Sequence, residues 1–216
     1  ILGRYQLYTE NTLPPVTLTL ERLVSIPVLL RTWGVVLAGN VTGAINGALI
    51  LALTDVFPPD AAAAARAIAL DGLATGWWAL FFKASYAGLI VAGVVWLDYA
   101  ARDSITRFLV VYVAFLAIPL GNLYHVVVSF TELSYLTLLG EAGAASGFVQ
   151  FVLPVLLGNT AGGVVLVTLV NYYQTSEQRR WISRFEASEP QLSLREWFLG
   201  PLVGRGYVPV REDADD

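Results

Sequence analysis

The sequence predicts an all-α membrane protein, a bundle of broken and continuous helices arranged as two inverted halves. Three observations predict it. Hydrophobic residues make up 56% of the 216 and charged residues only 14%, against roughly 45–50% and 25% in a soluble domain. Several apolar runs are long enough, at about 18 residues or more, to cross a hydrocarbon core of about 30 Å. The pattern Leu-x-Gly-Asn-x-x-Gly-small occurs twice, as LAGNVTGA at Leu37 to Ala44 and LLGNTAGG at Leu156 to Gly163. A polar, turn-prone stretch precedes each copy: Thr9 stands 30 residues before Gly39 and His125 stands 33 before Gly158. Such a duplication, with its two Gly-Asn helices crossing in opposite directions, makes two inverted halves with a solute path between the broken helices.

Along the chain, residues 1–16 read as the end of an apolar element followed by a turn, because Thr9, Glu10 and Asn11 are poor mid-helix residues and Pro14-Pro15 forbids a helix through them. Leu18 to Leu30 is moderately amphipathic, carries Glu21 and Arg22, is interrupted by Pro27, and is placed at the membrane interface. The first full span covers about Thr32 to Leu53, with Trp33 as an interfacial anchor. Gly39, Gly43 and Gly47 recur every fourth residue there, a small-residue stripe that predicts close packing against another helix. A short alanine-rich helix follows, with Asp60 as its N-cap. The second span covers about Leu73 to Leu97, holds Lys83 and is bracketed by Trp77, Trp78 and Trp96. The third runs from about Phe108 to Phe130 and the fourth from about Phe148 to Tyr173. Residues 1–173 form the membrane domain, and 174–216 form a cytoplasmic tail that is amphipathic and then acidic.

Orientation follows from the arginines. Arg22 and Arg31, Arg102 and Arg107, and Arg179, Arg180 and Arg184 lie on one side, while Arg66 alone lies on the other. The positive-inside rule puts the first set, and with it the C-terminus, in the cytoplasm of a multi-pass cell-membrane protein. There is no basic stripe of the kind that nucleic-acid binding requires. The chain has no cysteine and one histidine, so it offers no metal-ligand cluster, cofactor motif or activated nucleophile, and no enzyme is predicted. It has no methionine either, and the expectation is that earlier residues of the gene product are missing from it.

His125 is the candidate for chemistry. It lies in an otherwise apolar membrane-length segment behind Pro119, Gly121 and Asn122, which weaken the helix. Ionisable groups at membrane depth mark transport paths, and a broken helix is tolerated there only against protein or a cavity.

The motifs QLYTENTL (Gln6 to Leu13), RTWGVVLAGNVTGA (Arg31 to Ala44), AGLIVAGVVWLDYAAR (Ala87 to Arg102), GNLYHVVVSF around His125, and LPVLLGNTAGGVVLVTLVNYY (Leu153 to Tyr173) together resemble the formate/nitrite transporter family over nearly the whole chain. The resemblance implies homopentamers of an aquaporin-like fold with six spans per protomer, about four of them complete here. The family's first helix and a half would precede Ile1. Each protomer would carry a pore for a small monovalent anion or its conjugate acid within membrane lipid. His125 matches the central histidine and Thr9 the threonine facing it; Leu7 and Tyr8 match the cytoplasmic constriction, and Ile118 lies near the other. Asn122 precedes the histidine in the same break, and Lys83 is a candidate source of positive potential at the outer vestibule. Gly39, Asn40, Gly43, Gly158, Asn159 and Gly162 are the packing residues of the repeat. The chain departs from the family pattern at Glu10, Tyr124, Ser129 and Gly88, positions that bear on substrate more than on fold. A neutral-solute pore of the same fold and a non-transport membrane scaffold are the competing readings.

Overall fold

The computed structural model describes residues 6–174 and 191–209. Arg179, Arg180, Trp181, Arg184 and Phe185 of the basic tail, and the acidic end, lie outside them.

A 3-10 turn at Glu10–Thr12 leads into α1 (Pro14–Leu20), which opens on the two prolines because a proline needs no helical N–H in the first turn. The interfacial helix expected over Leu18 to Leu30 is not one element. Arg22 takes a left-handed conformation (φ 54°) that ends the first helix, and Pro27, instead of interrupting, sits in the first turn of α2 (Ile26–Leu53). This span therefore begins six residues before the expected Thr32. In α3 (Pro59–Ala74) the cap is Pro58, and Asp60 is a first-turn acid rather than the N-cap; there its charge suits the positive end of the helix dipole. The next span, α4 (Trp77–Ala100), starts four residues later than predicted, after a break at Thr75 and Gly76.

The third predicted span is two helices. α5 (Ser104–Leu120), capped by Asp103, whose carboxylate accepts from the Thr106 N–H at 2.8 Å, stops just after Pro119; α6 (Val126–Leu138) begins with His125 as its N-cap. Two bonds from Thr106, the larger from its backbone, hold the Asp103 carboxyl below its ordinary range. α7 (Ala144–Leu169) contains wide π turns at Phe148–Val152 and Gly162–Leu169 and continues through Val170–Gln174.

Among the described residues three helices are long and apolar enough to cross a membrane, α2, α4 and α7, with α5 and α6 as shorter apolar pieces. The core lies where α4 packs against α7 and α6 against α2. It holds Leu80, Val126, Leu136, Phe151, Val152 and Val155. Residues 191–209, with α8 (Leu194–Leu199), fold back over the α1–α2 turn. Trp197 Nε1 donates to the Thr19 carbonyl at 2.7 Å, Ser25 N–H to Gly206 at 2.9 Å, and Val208 N–H to Leu23 at 2.8 Å. Glu196 closes this cap by bonding Arg205 at 3.0 Å, and the guanidinium holds its carboxyl far below the usual carboxylate range.

Candidate functional site

Two irregular backbone breaks meet inside the bundle. The first, Gln6 to Thr12, is held by Asn40 of α2: the Tyr8 N–H donates to its Oδ1 at 2.9 Å, and its Nδ2 donates to the Gln6 carbonyl at 3.0 Å. The second, Gly121 to His125, is held by Asn159 of α7. The Val126 N–H donates to its Oδ1 at 2.9 Å, and its Nδ2 donates to the carbonyls of Tyr124 (2.9 Å) and Ala84 (2.8 Å). A chain interrupted inside an apolar bundle frees backbone donors and acceptors that have no water to turn to. One carboxamide, with an acceptor and two donors, satisfies both signs.

These bonds also fix the register of the repeat. Tyr8 lies 32 residues before Asn40 and Val126 lies 33 before Asn159, so the counterpart of His125 is Leu7. The glycine spacing had paired His125 with Thr9, two residues further on. Thr9 instead reaches across: its Oγ1 lies 2.9 Å from His125 Nε2, with Thr9 fully buried and His125 6% exposed. Phe115 of α5 stands beside the imidazole, ring centres 6.4 Å apart.

The other candidates divide. Ile118 is buried with Ala87 and Val91, next to Phe115 and Leu123. Leu7 is half-buried. Tyr8 is a core residue, its ring against Trp33 at 5.8 Å and its hydroxyl 2.8 Å from Thr160 Oγ1. The indole N–H of Trp33 donates to the Asn11 carbonyl at 2.9 Å, which ties α2 to the first break a second time. Asn122 is exposed and supplies a left-handed backbone (φ 48°) to the break rather than a side chain to the site. Lys83 stands over the face of Tyr124, 5.6 Å from the ring centre, a cation–π contact. A methyl group at Gly158 or Gly162 would collide with the backbone of α4, and one at Gly88 of α4 with the backbone of Asn159. Around Gly39 and Gly43 there is open space, so among the described residues the predicted close contact is absent from α2.

The model of the formate/nitrite transporter family matches residues 1–173. The chain belongs to that family. It is a multi-pass membrane protein of a family of transporters, not of enzymes. The inner membrane protein YfdC of Escherichia coli is 30% identical over 176 residues, 81% of this chain, and the uncharacterized transporter YrhG of Bacillus subtilis is 24% identical over 176 residues, 80% of this chain. The chain spans 56% and 65% of the lengths of these two relatives. Two solved structures share the helical fold. A pentameric formate channel with formate bound is 23% identical, with a TM-score of 0.62 over 78% of this chain and 74% of that one; an FNT family ion channel is 24% identical, with a TM-score of 0.68 over 78% and 69%.

In this member of the family, sequence reading found the histidine, the threonine and both asparagines but not what the asparagines bond. It also passed over Thr160, Thr168 and Glu132. Thr168 Oγ1 donates to the Thr12 carbonyl at 2.7 Å, so α7 braces the first break as well as the second. The signal available was the polar side chains of an otherwise apolar α7, which in lipid must all find partners.

Proposed function

We propose that the chain forms the pore of a channel for small monovalent anions or their conjugate acids, formate and nitrite among them, in which His125 gives and takes the proton. The observation that carries this reading is the buried Thr9–His125 contact at 2.9 Å, set where two asparagine-held breaks meet. An anion stripped of water between apolar walls pays a heavy desolvation cost. Protonated to a neutral acid it does not, and an imidazole fixed by a hydroxyl can make that exchange. Ile118 on one side and Leu7 with Tyr8 on the other are the proposed apolar walls, with Lys83 lending positive potential outside. The family membership supports the anion class, and the pentameric neighbour supports a homopentamer. The arginine distribution supports a cytoplasmic C-terminus.

The test is flux of formate, nitrite and acetate into liposomes carrying the full-length protein, across a pH gradient, wild type beside His125→Ala and His125→Asn. The expected result is uptake that the variants lose by at least tenfold while remaining folded. Unchanged uptake in a folded His125→Ala sinks the proton-donor role, and flux indifferent to the pH gradient favours a neutral-solute pore.

A further inference from the structure

Beyond His125, the same face of α6 carries two further polar side chains whose bonding is incomplete. Ser129 follows the histidine by four residues, its N–H donating to the His125 carbonyl at 3.0 Å, and Glu132 follows by seven; that spacing returns to one helix face. Ser129 is wholly buried, and among the described residues its Oγ and the buried Oε2 of Glu132 have no hydrogen-bond partner. Thr131 of the same helix uses the ordinary remedy, donating to the carbonyl four residues back at 3.0 Å; Ser129 does not. A line of polar atoms left open along an apolar helix, starting at the central histidine, is what a transported species or its water would bond. Glu132 stands about 10 Å along it, at 1.5 Å per residue.

The charged and titratable groups around α6 leave a Glu132 carboxylate without a cation. Among the described residues, α2 brings only Arg31, which is exposed near its start, and α7 brings no charged side chain. α3 brings Asp60, Asp71 and Arg66, the last held by Glu141 at 2.6 Å. The break before α6 adds Tyr124 and α6 itself Tyr135, and Lys83 is turned to the Tyr124 ring.

We propose that Glu132 is a specificity-determining residue of the pathway, admitting a monovalent anion or weak acid when protonated and repelling the anion when ionised. Protonated, its O–H offers a hydrogen bond to Ser129 or to the substrate; ionised, it places an uncompensated negative charge on the route. The inference rests on the transport reading above.

The experiment measures formate uptake by liposomes carrying full-length wild type or Glu132→Gln, which keeps the shape but cannot ionise, at steps between about pH 5 and pH 8, and takes the ratio of variant to wild type at each. Formic acid's own titration cancels in that ratio. The expected ratio is near one in acid and rises about tenfold once wild-type Glu132 has ionised by one pH unit beyond its midpoint. A ratio flat across the range in a folded variant overturns the proposal. Should Glu132→Gln fail to fold, Glu132→Ala, which likewise cannot ionise, is measured as the same ratio to wild type; a ratio flat across the range overturns the proposal equally. Absence of wild-type uptake counts against the transport reading alone. Infrared titration then decides on Glu132: a protonated carboxyl band present in wild type, absent from Glu132→Gln and lost within this pH range supports it, and no such band overturns it.

Discussion

The two Gly-Asn helices carry one motif in two settings. In α7, Asn159 is fully buried and makes three bonds, and Gly158 and Gly162 seat the helix directly on the backbone of α4. In α2, Asn40 is half-buried and makes two bonds, and Gly39 and Gly43 face open space. Half of the membrane-length window of α7 is buried, against 11% of that of α2. The asparagine's task is thus separable from the glycines' task. A helix can hold a break in its partner through one carboxamide without its small-residue face being covered by the same chain.

The steepest way to break the comparison is through the glycines of α7. A methyl group at Gly162 meets the Ser85 carbonyl and one at Gly88 meets the Asn159 backbone, and neither backbone can yield without parting α4 from α7. Gly162→Ala is expected to cost about 3 kcal/mol or more, at or above the usual range for overpacking because no side chain can move aside. Thermal unfolding in detergent reads this as a large fall in midpoint or as failure to fold.

The asparagines come next. Asn159→Ala leaves the Val126 N–H and the Tyr124 and Ala84 carbonyls without their side-chain partner in a buried setting, a loss of about 3 kcal/mol. Asn40→Ala leaves the Tyr8 N–H and Gln6 carbonyl, closer to the surface, and is expected to cost about 1–2 kcal/mol. The same detergent unfolding assay ranks the two; equal losses would mean that burial does not separate them.

How much of this was legible beforehand follows the same division. Apolar length marked α2, α4 and α7, because membrane thickness imposes it on any sequence. Pro119, Gly121 and Asn122 marked the second break, yet periodicity alone joined its two sides into a single span over Phe108 to Phe130, since both flanks are equally apolar. His125 was legible as an ionisable residue in apolar surroundings, whereas Thr9 read only as part of a polar, turn-prone stretch and was set opposite the histidine by the family resemblance. The partners of Asn40 and Asn159 were not, because a bond across 32 or 33 residues leaves no trace in local pattern. Trp33 shows the same limit: nothing in the local pattern pairs its indole with the Asn11 carbonyl 22 residues away. Glu132 was passed over as a loop residue after the third span, and became visible only when α6 proved to continue to Leu138.

The smallest expected effect is the sharpest test of the glycine half of the comparison. Gly43 is exposed, and nothing lies within 4 Å of where a Cβ would be. In a helix interior glycine is less favourable than alanine by up to about 1 kcal/mol. If α2 keeps this face open, Gly43→Ala should leave stability unchanged or raise it by no more than that amount, in the same detergent assay that shows Gly162→Ala failing. A loss comparable to that of Gly162→Ala would mean that, in the assembled protein, a surface beyond the described residues seats on the stripe at Gly39 and Gly43. The two Gly-Asn helices would then be alike in packing as well as in the bonding of their asparagines, and the open face of α2 would be the half of the repeat whose partner lies elsewhere.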